Sequence, residues 1–162
     1  MSPTASRPAS RHLLRAIATT ALVAGTLDIV AACTQFALTT GKSPVIVLQF
    51  VASGVFGKAA FTGGPAMAVW GLLLHFLIAT IFTVAYFWLY PRLPWLGRHP
   101  VAAGLGYGVV VWLIMNRMVV PLSGVAPQPF IPLKALMAAA ILMLCIGLPI
   151  ALLTARYYNS RR

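Results

Sequence analysis

The stretch from Ala16 to Leu38, AIATTALVAGTLDIVAACTQFAL, decides the fold. It is long and apolar enough to cross a hydrocarbon core as one helix, which takes about 20 residues. At its middle stands Asp28, the single acidic residue of a 162-residue chain. A carboxylate at that depth costs a few kcal/mol on insertion scales and roughly 10 or more in simulations of ionisable side chains. The one acid of the chain therefore occupies the most expensive position available to it.

Working outward, the composition agrees with a lipid solvent. Hydrophobic residues make up 60% of the chain and charged residues only 8%, where a soluble domain carries about a quarter charged residues. The net charge of +11 does not mark a nucleic-acid binder. Such a protein gathers its basic groups on one folded surface, whereas here they stand at the ends of apolar runs and serve to set topology.

Four segments are long enough to span a bilayer, at about 16–38, 66–90, 101–120 and 134–154. Residues 44–61 are apolar but short and carry Gln49, Ser53 and Lys58, which predicts an interfacial or re-entrant helix on the outer face. Four crossings put Arg7, Arg11, Arg15, Arg92, Arg98, Arg156, Arg161 and Arg162 on one side and only Lys42, Lys58 and Lys134 on the other. By the positive-inside rule the Arg-rich side is cytoplasmic, with both termini on it. A fifth crossing would divide the two Arg-rich ends. Residues 1–15 are expected to be a flexible basic cytoplasmic tail, 16–155 the transmembrane domain and 156–162 a second basic tail.

A cleaved leader is the competing reading of the amino terminus, since basic residues precede the apolar run and Val30 to Cys33 loosely resembles a lipoprotein cleavage box. The length of the run, Asp28 within it and the spans that follow argue for a retained helix. Pro91, Pro94 and Pro100 break the connection after the second span. The connection 121–132, PLSGVAPQPFIP, is expected to form a stiff extended cap. Cys33 and Cys145 fall at different depths, so no disulfide is expected. Two lone cysteines and scattered histidines lack metal-ligand spacing, and no cofactor is expected.

Depth singles out a polar cluster. At 1.5 Å rise per residue, Asp28 lies about 18 Å above the start of its helix and His75 about 15 Å below the start of the second span, both near the midplane. Arg117, preceded by Asn116, sits roughly 24 Å up the third span and can lean back toward Asp28. Asp28, His75, Asn116 and Arg117 are therefore expected to form one buried cluster. Asp28 ionised against Arg117 or His75 would be a structural clasp. Asp28 and His75 exchanging protons would be a transport element.

Gly104 and Gly108 have the spacing that lets membrane helices approach closely. Gly147 and Pro149 predict a kink or a weakened turn in the last span. No nucleophile elbow, zinc-protease motif or pair of carboxylates is present, so the chain is not expected to be an enzyme.

LQFVASGVFGKAAFTGG (48–64), His75-Phe76, GLGYG (104–108) and MNRMVVPLS (115–123) together resemble small bacterial inner-membrane proteins and are loosely similar to the YagU-like family. The resemblance implies a bacterial, integral, four-helix membrane protein and assigns no catalytic or binding residue. The expectation is an all-α membrane protein: a four-transmembrane-helix bundle with an additional short helix, partnered by the lipid bilayer and by further copies of itself. Its expected role is that of a structural or accessory component, with a small proton-linked transporter or permeation pathway as the alternative.

Overall fold

The computed structural model describes residues 8–124 and 131–160. Helix α1 runs over Pro8–Thr40 and stops at Gly41, whose φ of 66° turns the chain and whose N–H bonds back to Ala37 O. This is the left-handed cap that glycine supplies without steric cost. A short apolar helix, α2 (Val45–Phe56), is extended by a 3₁₀ turn over Gly57–Phe61. Then follow α3 (Gly64–Leu89), a one-turn α4 (Pro94–Arg98), α5 (Pro100–Leu122) and α6 (Pro132–Asn159). No strand occurs among the described residues. The segments Arg11–Thr40, Gly64–Leu89, Pro100–Leu122 and Pro132–Asn159 are each long and apolar enough to cross a membrane. The chain is an all-α integral membrane protein.

Two expected boundaries move. Residues 8–15 belong to α1 rather than to a flexible tail. Pro8 suits a first helical turn, where its missing N–H has no partner to lose, and the Ala, Arg and Leu that follow are good helix formers. At the other end α6 continues through Asn159, so most of the expected second tail is helical. Pro121 and Leu122 end α5 as helix, with Ser123 extended beyond them. The rest of the expected stiff cap, 125–130, lies outside the described residues, as do residues 1–7 and 161–162.

The packing inverts that of a soluble bundle. Ala24, Ala52, Ala60 and Ala151 are fully buried, while Leu22, Leu73, Ile81 and Leu144 stand outward. In lipid, burying a leucine gains no hydrophobic free energy, so small residues line the contacts and let backbones approach. α1 packs between α3 and α6, α5 packs on α6, and α2 lies along α3. At the α2–α3 contact the carbonyl of Leu48 occupies the space a side chain on Gly71 would need. The backbone of Gly124, just past α5, donates to Gly54 O at 3.0 Å and ties α2 to the end of α5.

α3 and α5 do not pack extensively on each other. They meet through side chains, chiefly Tyr107 of α5, whose hydroxyl donates to Phe82 O at 2.7 Å. The C-terminal ends of α3 and α6 come together where Tyr90 stacks on Tyr158, with centroids 4.8 Å apart. The start of α1, which runs antiparallel to α3, and the end of α6 therefore lie at one end of the bundle, the terminal end.

Candidate functional site

A cavity of about 80 Å³ lies in the middle of the bundle. Every long element reaches it. Asp28 comes from α1, Val51 from α2, His75 and Phe82 from α3, Val111 and Met115 from α5, and Leu142 and Ile146 from α6. Asp28 and His75 are the only ionisable residues in its wall. A space of this size has room for a few water molecules, given two to four polar partners for each.

The site is assembled by the contact between α1 and α3. Gly25 is buried because the ring of Phe76 fills the position of its missing side chain, 2.9 Å from an added Cβ. With Phe76 seated there, the neighbouring His75 reaches α1, and its Nε2 lies 2.9 Å from the carbonyl oxygen of Gly25. A carbonyl only accepts, so Nε2 carries a proton and donates it. Asp28 stands one turn from Gly25 and within electrostatic reach of His75. Cys145 of α6 lies within electrostatic reach of Asp28.

Arg117 and Asn116 do not join them. Both are exposed on α5, and the Asn116 amide donates to Trp112 O of its own helix at 2.9 Å. No hydrogen bond or ion pair links the Asp28 carboxylate to a basic side chain among the described residues. Of the expected Asp28, His75, Asn116 and Arg117 cluster, only Asp28 and His75 line the same cavity. The physical reason is azimuth. Nine residues separate Arg117 from Gly108, which at about 100° each puts them on opposite faces of α5, and Gly108 faces α6.

Gly104 and Gly108 sit against the backbone of α6. A Cβ on Gly104 would meet Gly147 O and Leu148 Cα at 2.9 Å, and one on Gly108 would run into the backbone of Met143. Gly147 in turn faces Gly104 O and the backbone of Gly108. The three glycines form a single backbone-to-backbone contact.

The region of Gly147 and Pro149 is not a simple kink. α6 widens into a π-helical segment over Leu142–Gly147, and α5 does the same over Met115–Val119. Each segment contains the residue four before a proline, Cys145 before Pro149 and Arg117 before Pro121. A proline ring clashes with the carbonyl four residues back, and a wider turn moves that carbonyl away. Met115, Leu142 and Ile146 of these segments line the cavity. Both π segments therefore border the same space, as such segments often do at functional sites.

Of the other hydroxyls, Thr80 and Thr83 bond to carbonyls one turn back on α3, Phe76 O and Ala79 O. Sequence reasoning did not single out Tyr107 or Thr154. Tyr86 Oη, Thr154 Oγ1 and Trp112 Nε1 are buried with no partner among the described residues. The described residues hold no group of three or more metal-type ligands. Comparison with known protein families, with curated proteins and with solved structures returns no match for this chain.

Proposed function

We propose that this is a non-enzymatic integral membrane protein that moves protons, or a small solute coupled to a proton, through the cavity where Asp28 and His75 meet. One observation carries the reading. The only acid of the chain and the mid-span histidine line one cavity, and among the described residues no basic side chain makes a hydrogen bond or ion pair to the acid. An intramembrane carboxylate without a fixed counter-charge is suited to gaining and losing a proton. A histidine in the same cavity wall supplies a second side chain able to carry a proton. The flanking π segments support the same reading, because helices opened at cavity depth can rearrange without breaking their packing.

A structural or accessory role is the competing account. It rests on the His75–Gly25 hydrogen bond as a tie between α1 and α3 and on Asp28 beside His75 as the clasp, Arg117, the other expected partner, being exposed on α5. In the proposed reading the protein lies in a bacterial inner membrane, with its Arg-rich termini in the cytoplasm. It works as a homo-oligomer, because four helices enclose little volume.

The test is proton flux into liposomes that contain the purified full chain and an entrapped pH-sensitive dye, driven by a potassium diffusion potential. Flux above that of protein-free vesicles is expected, falling about tenfold or more in Asp28→Asn while circular dichroism stays unchanged. Absence of flux, or flux indifferent to Asp28→Asn, would overturn the proposal and favour the structural account.

A further inference from the structure

A proton that reaches Asp28 and His75 needs a polar route to the water at an end of the bundle. The end that carries the termini offers one through hydroxyl groups. Phe82 lines the cavity, and its carbonyl accepts the hydroxyl of Tyr107 at 2.7 Å. The Tyr107 ring meets Tyr86 edge-on, with centroids 4.7 Å apart. Tyr86 lies one helical turn beyond Phe82, about 6 Å further toward the terminal end. On α6, Thr154 lies two turns beyond the cavity residue Ile146, about 12 Å in the same direction.

Tyr86 and Thr154 are each 0% exposed, and neither hydroxyl has a hydrogen-bond partner among the described residues. Leaving two such hydroxyls buried and unpaired is costly. Buried polar groups without a protein partner are the usual sites of internal water. Beyond Tyr86 the series continues. The Tyr86 and Tyr90 rings are 6.4 Å apart, and the Tyr90 hydroxyl lies against Gly97 of α4, 3.0 Å from the position of an added Cβ. Gly97 is partly exposed, so the series ends at the terminal surface.

We propose that Tyr86 and Thr154 bind water, and that Tyr107, Tyr86, Thr154 and Tyr90 with this water form the path by which protons pass between the Asp28–His75 cavity and the end of the bundle carrying the termini. The path rests on the proton-transfer reading for its purpose, but its hydration stands or falls by itself. No covalent bond changes along it. A proton enters at one hydroxyl or water as another leaves the next. The tyrosines remain neutral overall.

Two measurements on the reconstituted full chain test it. The first is exchange of the Tyr86 hydroxyl proton on transfer to D₂O, read from the tyrosine C–O–H infrared bands and assigned by their loss in Tyr86→Phe. A hydrated path gives exchange within the mixing time. A signal that stays unexchanged for hours overturns the path whatever the flux. The second is dye-detected proton flux in Tyr86→Phe and Thr154→Val, two replacements that keep side-chain volume. Each should lower flux about tenfold or more with an unchanged melting temperature. Flux equal to wild type in both variants, alongside a loss in Asp28→Asn, overturns the path and leaves the proton-transfer reading standing. Rapid Tyr86 exchange in a protein without any flux removes the transfer reading and overturns the proton path, leaving only the bound water.

Discussion

His75 donates from Nε2 to a backbone carbonyl of another helix, so its substitutions separate packing from proton exchange. His75→Leu removes an interhelical hydrogen bond, worth on average about 0.6 kcal/mol in a membrane bundle. It should lower the unfolding free energy by that order in a denaturant titration. His75→Gln keeps an amide that can reach Gly25 O but cannot titrate. It should melt like wild type yet carry about tenfold less proton flux. Arg117 gives the opposite expectation. It is exposed and holds no acid, so Arg117→Gln should change stability by no more than about 0.5 kcal/mol. A loss of several kcal/mol on the same titration would mean a buried partner. Asp28 and His75 were legible in the sequence because rise along a helix fixes depth. Arg117 was misassigned because depth says nothing of azimuth. The Gly104–Gly108 face, which marks the side of α5 turned toward a neighbour, carried the missing information.

At the scale of elements, the two π segments are explained by the prolines that follow them, and this can be tested at Pro149. Pro149→Ala restores the N–H and removes the ring that clashes with the carbonyl of Cys145. α6 is then free to relax toward regular α geometry, which would rotate Leu142 and Ile146 relative to the cavity. The variant should melt no lower than wild type and conduct protons about tenfold less well. Equal flux would show that the widened turn is not needed. Gly108→Val should be the more damaging change for folding. Its side chain would meet the Met143 backbone, and overpacking of this kind costs about 1–3 kcal/mol or more. Pro149 and Gly147 made an interruption readable in the sequence. Its form was not, because the choice between a kink and a widened turn depends on how α5 packs against α6. The start of α1 was missed. Pro8 stands at a position that favours helix initiation, and the basic residues after it obscured that signal.

For the molecule as a whole, the four spans follow from four apolar runs bounded by basic and proline-rich connections, a pattern that survives without knowledge of any contact. The cavity does not follow from it, since it depends on α3 and α5 standing apart and on small residues setting how closely α1 and α6 approach. The basic residues make a separate prediction about orientation. In a background of Cys33→Ser and Cys145→Ala, single cysteines at His12 and Ser160 should react with an impermeant maleimide from one face of the membrane. A cysteine at Lys42 should react only from the other. Labelling of positions 12 and 160 from opposite faces would contradict an even number of crossings. The central claim, that Asp28 exchanges a proton with His75 in the cavity they line, is tested most directly by the infrared carboxyl band of Asp28, assigned by its absence in Asp28→Asn. The account predicts a band whose intensity follows the bulk pH and which shifts in His75→Gln but not in Arg117→Gln. A band that ignores both pH and His75, or that responds to Arg117 instead, would contradict it.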